Sequence, residues 1–93
     1  MTLEEIRKSV LKLIPEYPIK RVVLFGSRAE GKQRDNSDVD LIMEFTEPVS
    51  LLTLSQIKLR LEELLNLNVD IVHGPIRNDD LLEINKEVEL YVA

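Results

Sequence analysis

Asp38 and Asp40 stand two residues apart in SDVDLIMEF. If that stretch is a strand, both carboxylates leave the same face. Two anions so close repel, and one pKa rises unless positive charge lies between them. A hard divalent cation supplies that charge, and Mg²⁺ accepts a few carboxylate oxygens together with phosphate and water. A third acid, Asp70, sits in the apolar run VDIV, where a lone aspartate needs a polar reason to exist. If VDIV lies beside VDLIMEF, Asp70 completes a three-carboxylate site. Upstream, Gly26 and Ser27 follow the apolar run RVVLF. A glycine there lets the backbone approach a ligand closely. A helix N-terminus offers free N–H groups to phosphate oxygens, and the Ser27 hydroxyl adds a donor. One side thus grips polyphosphate and the other supplies metal, which suits phosphoryl or nucleotidyl transfer.

The spacing of the elements is compatible with such a site. Thr2 and Glu5 form a capping-box signal, and Leu3, Ile6, Val10, Leu13 and Ile14 recur at helical spacing until Pro15 and Pro18. Residues 21–25 read as a buried strand stopped by Gly26, with Ser27 capping a short helix toward Gly31. Lys32 to Ser37 are turn-like, and Asp35 falls in this solvated stretch. Residues 39–45 read as a strand with Val39, Leu41, Met43 and Phe45 on one face. The other face carries Asp38, Asp40, Ile42 and Glu44, the last in a solvated position. After Pro48 and Ser50 comes a long amphipathic helix. Leu54, Ile57, Leu61, Leu64 and Leu65 form its apolar side, and Lys58, Arg60, Glu62 and Glu63 lie largely opposite. Asn66 to Asn68 make a turn, residues 69–72 a third strand, and Gly74-Pro75 a break. Asn78 or Asp79 caps a last helix through about Lys86, and VELYV closes the chain as strand or tail. His73 is expected to be exposed with no metal role. The surplus leucines Leu51, Leu52, Leu59 and Leu67 are candidates for a partner interface. The expected class is α/β (α+β), a small mixed sheet with flanking helices, forming a single domain over residues 1–93.

Composition limits the function. The chain has 93 residues and a net charge of -5, with a pI near 4.8. Binding to bulk nucleic acid needs a basic face, so that class is disfavoured. A nucleotide ligand is not, because bound cations reverse the local sign. There is no cysteine, and no signal-peptide or membrane-spanning run. The chain reads as complete and cytoplasmic.

Gly-Ser, ten residues, then Asp-Val-Asp, with a later Asp in a short strand, resembles the DNA polymerase beta-type nucleotidyltransferase superfamily. VVLFGSRAEG and SDVDLIMEF together resemble its minimal nucleotidyltransferase (MNT) branch. The four fixed residues alone would match a random chain of this length about once in a thousand. The resemblance implies that Gly26 and Ser27 hold the nucleotide triphosphate, with Arg28 beside them. It implies that Asp38 and Asp40 bind two Mg²⁺ ions, and that Asp70 ligates the catalytic one and helps activate the acceptor hydroxyl. Glu30 departs from the family's common GSRARG, and Arg28 or Lys32 could offset its charge. Small members of this kind resemble antitoxins that pair with a helical HEPN ribonuclease toxin and modify a tyrosine on it with AMP. The expected activity is therefore Mg²⁺-dependent transfer of AMP from ATP to a hydroxyl on a HEPN-type partner, in a homo- or hetero-oligomer. The alternative is a non-catalytic nucleotide-binding antitoxin that neutralises its partner by contact. A stand-alone enzyme for a small molecule is disfavoured, since little chain is left to build an acceptor pocket.

Overall fold

The computed structural model describes residues 2–25, 38–74 and 87–93. Gly26, Ser27, Arg28, Glu30, Asp35 and the expected helix ending near Lys86 lie outside the described residues. Helix α1 spans Leu3–Leu13 and is capped as its sequence implies, the Thr2 side chain accepting the Glu5 N–H at 3.2 Å. Strand β1 covers Ile19–Phe25 and so begins two residues earlier than the β-branched run suggested. Strand β2 covers Val39–Phe45, the bounds expected from its alternation. Helix α2 runs Leu51–Leu65. Ser50 Oγ accepts the Thr53 N–H at its start. Asn66 ends it at φ 55°, a left-handed conformation that asparagine tolerates, and its N–H donates to the Glu62 carbonyl at 2.8 Å. Strand β3 is Val69–His73 and β4 is Glu87–Val92.

The four strands form one sheet in the order β3-β2-β1-β4. β1 runs antiparallel to β2 and to β4, whereas β2 and β3 are parallel. The parallel pair follows from the connection, because a helix between two strands carries the chain back to the starting end. The sheet is therefore mixed, as expected. Alternation assigns its two faces. Val22, Leu24, Val39, Leu41, Met43, Val69 and Leu90 face both helices and pack in one cluster with Ile6, Val10 and Leu13 of α1 and Ile57, Leu61 and Leu65 of α2. The helices touch each other across this face.

Two packing expectations change. Leu64 is 42% exposed and leaves the apolar side of α2 to Ile57, Leu61 and Leu65. Leucines outnumber the positions one buried stripe holds, so periodicity alone admits more than one choice of stripe. Leu67 packs partly buried against the core, not on a partner-facing surface. Leu51, Leu52 and Leu59 are exposed, consistent with their reading as surplus to the core. No helix among the described residues is long and apolar enough to cross a membrane.

Candidate active site

The face turned away from the two helices carries the acids. On β2 it presents Asp40, Ile42 and Glu44, and on β3 Asp70 and Val72. The register pairs Asp40 with Asp70 across β2–β3, and Phe25 with Asp40 across β1–β2. In a parallel pair, facing residues send their side chains to the same side of the sheet. Asp70 is thus the direct neighbour of Asp40, the arrangement that its place in VDIV left conditional. The same register puts Phe25, the last residue of β1 before Gly26, on Asp40's other side. The chain thus enters the Gly26-Ser27 segment from beside the acids.

Asp38 precedes β2 and is exposed, Asp40 is half-buried, and Asp70 is exposed at the start of an edge strand. Desolvation first, then the Asp70 and Asp38 charges, push the Asp40 carboxyl above its ordinary value of 3.8. Both neighbouring acids therefore act on Asp40. Their oxygen donors suit a hard cation such as Mg²⁺. They do not form a closed cage, since no three His, Cys, Asp or Glu side chains among the described residues gather to hold a single ion.

The raised pKa has a consequence for stability. Folding favours the protonated form of Asp40, so ionised Asp40 costs stability above its folded pKa. That cost fades as the pH falls through the folded pKa toward the unfolded value near 3.8. In metal-free protein, Asp40→Asn is expected to be more stable than wild type at neutral pH. The difference should shrink toward pH 4 in paired chemical denaturations; a difference that grew on acidification would contradict the assignment.

Glu44 is not the solvated residue its alternation suggested. Arg21 on β1 reaches it at 3.4 Å and reaches Glu89 on β4 at 2.8 Å, linking three strands. Such partly exposed pairs contribute about 0–1 kcal/mol each, so they tune the face more than they hold it. His73 is exposed as expected, but its ring stacks on Phe45 with centroids 5.5 Å apart. A cleft of about 500 Å³ opens there, lined by residues including Lys20, Glu44, Phe45 and His73. It lies at the far end of β2 and β3 from the aspartates. A second cleft of about 400 Å³ touches Asp70 itself, between Leu51, Leu54, Ser55 and Lys58 of α2 and Ile71 of β3.

Residues 3–92 match the family described as nucleotidyltransferase domain. The chain belongs to that family. A relative from Thermococcus cleftensis, protein adenylyltransferase MntA, is 38% identical over 77 residues, covering 77% of this chain and 77% of the relative. A solved chain described as a putative minimal nucleotidyltransferase is 35% identical with a TM-score of 0.75, and 95% of each chain is covered. A chain of the complex solved as tri-AMPylated Shewanella oneidensis HEPN toxin with MNT antitoxin has a TM-score of 0.71 at 16% identity, covering 99% of this chain and 74% of that one. At that identity the likeness is one of fold. In this nucleotidyltransferase the acids lie on the sheet face opposite α1 and α2.

Sequence reasoning missed one group beside the site. Glu62 of α2 was placed on a solvated helix side. Its Oε2 accepts the Val69 N–H at 3.0 Å and the Lys58 ammonium at 3.1 Å. The Val69 hydrogen bond, followed by that to Lys58, holds the Glu62 carboxyl below its ordinary range. The i, i+4 spacing of Lys58 and Glu62, one helical turn before the Asn66 turn, was the available signal.

Proposed function

We propose that this nucleotidyltransferase moves AMP from ATP to a hydroxyl, that of a tyrosine on a HEPN-type toxin partner, and so acts as an antitoxin. The observation that carries the reading is the Asp40–Asp70 pairing on the sheet face opposite α1 and α2, beside the strand that leads into Gly26 and Ser27. The 38% identity to a protein adenylyltransferase supports the adenylyl group and the protein acceptor. The complex of AMPylated HEPN toxin with an MNT antitoxin, which shares this fold, supports the kind of partner.

In this reading Gly26, Ser27 and Arg28 hold the triphosphate, and Asp38, Asp40 and Asp70 ligate two Mg²⁺ ions. Bound there, the ions would neutralise phosphate charge and lower the pKa of the acceptor hydroxyl. The chain's own contribution is placement. β2 and β3 hold Asp40 and Asp70 at fixed spacing, so no reorganisation is needed as charge develops during transfer. Asp70, exposed on an edge strand, is open to an arriving acceptor, and it can take up the hydroxyl proton.

Incubation with ATP labelled at the α-phosphate, Mg²⁺ and a HEPN-type partner tests this. Label should appear on a partner tyrosine, with pyrophosphate released. Neutralisation of the partner with no label transferred would instead establish the contact-only antitoxin.

A further inference from the structure

Asp70 stands second in a five-residue strand that has β2 on one side and no further strand among the described residues on the other. The Asn68 carbonyl accepts the Val39 N–H at 2.9 Å, so β3 is tied to β2 immediately before Val69. In a parallel pair only one of two facing residues turns its N–H and C=O toward the neighbouring strand. Val39 faces Val69 and is that residue, since its N–H goes to Asn68, so the Val69 N–H points away from β2. There it meets Glu62. The carboxylate reaches from α2 across the turn at 66–68 and accepts that N–H at 3.0 Å, while Lys58 grips the same oxygen at 3.1 Å. The Glu62 side chain is only 22% exposed, and the neighbouring Leu61 and Leu65 anchor the helix in the core. The bond therefore transmits the position of a rigid helix to the residue adjoining Asp70.

We infer that Glu62, held by Lys58, is a positioning residue that sets Asp70 against Asp40 for binding of the divalent cation. This rests on the proposed role of Asp70 as a metal ligand. Asp70 touches the reacting groups in that reading, and Glu62 acts only through the Val69 backbone. The clamp also has a chemical logic: an ionised acceptor makes a stronger bond to a backbone N–H than a neutral one, and it is placed where an edge strand would otherwise offer that donor to water.

The test uses the full chain with Glu62→Ala, Glu62→Gln and, as a control on the same helix, Glu63→Ala. Glutamine keeps an oxygen that can accept the Val69 N–H. Two quantities are read: amide hydrogen exchange at Val69 in the metal-free protein, and the Mg²⁺ concentration that half-saturates nucleotidyl transfer. Glu62→Ala should speed Val69 exchange by about tenfold, the scale of losing one charge-assisted hydrogen bond. It should also raise the half-saturating Mg²⁺ several-fold, leaving the KM for the nucleotide at saturating Mg²⁺ near that of wild type. Glu62→Gln should recover most of both, and Glu63→Ala should match wild type. Unchanged Val69 exchange in Glu62→Ala would overturn the clamp, as would slowed transfer with an unchanged Mg²⁺ requirement. A glutamine variant no better than alanine would overturn it too. Were wild type to transfer no nucleotide, the proposed activity would fall, and a Mn²⁺ titration of the same variants would still decide the clamp: equal Mn²⁺ affinity in wild type and Glu62→Ala would overturn it.

Discussion

Asp40→Asn is expected to lower nucleotidyl transfer by about 10²-fold or more while the fold survives, as loss of a charge-neutralising ligand does when electrostatics dominate the barrier. The change removes charge with little change in shape. Asp40 faces Asp70 in the β2–β3 register and feels both Asp70 and Asp38, so it is the acid most central to the group. Asp38→Asn should cost a similar factor. Asp35→Asn, in the same polar stretch of sequence, should change transfer little. Rates measured at saturating ATP and Mg²⁺ check this. Full activity in Asp40→Asn, or an equal loss in Asp35→Asn, would remove the metal assignment.

Leu61→Ala should be the most damaging of the simple truncations in α2. Leu61 is 0% exposed and belongs to the core cluster shared with α1 and the sheet. Deleting its side chain should cost about 2–5 kcal/mol, the usual range for a buried leucine whose site cannot collapse. A domain of this size carries about 5–14 kcal/mol in total, so a substantial share of its stability is at stake. Leu59→Ala, two residues away and 59% exposed, should change stability by about 0.5 kcal/mol or less. Urea unfolding of both variants separates the two positions. Similar losses would mean that α2 buries a different face from the one described.

How far the sequence led differs from residue to residue. The bounds of β2 and the cap at Thr2 were legible because each depends on local pattern alone: strict alternation in one case, a hydroxyl three residues before a carboxylate in the other. The same alternation put Asp38 and Asp40 on one face; Asp38 lies just before β2, and its charge reaches Asp40. Asp70 needed more. Alternation fixes which way a side chain points within its strand but not which residue it meets on the next, so its pairing with Asp40 waited on the register. Glu44 and Glu62 read as solvated because charge on an element's outer side usually is. Their partners, Arg21 and the Val69 N–H, come from other elements and leave no mark at short range. Leu64 was misplaced for the opposite reason, since a helix rich in leucine satisfies more than one helical stripe.

Paramagnetic broadening by Mn²⁺ tests the central claim most directly, because it locates the cation without requiring any acceptor. With ATP present, amide signals of residues 38–41 and 69–71 should broaden first. Those of Glu44, Phe45 and His73, at the far end of the same strands, should persist. Broadening that began at the Phe45–His73 end, or none at Asp40 and Asp70, would contradict the assignment of these aspartates to the metal site.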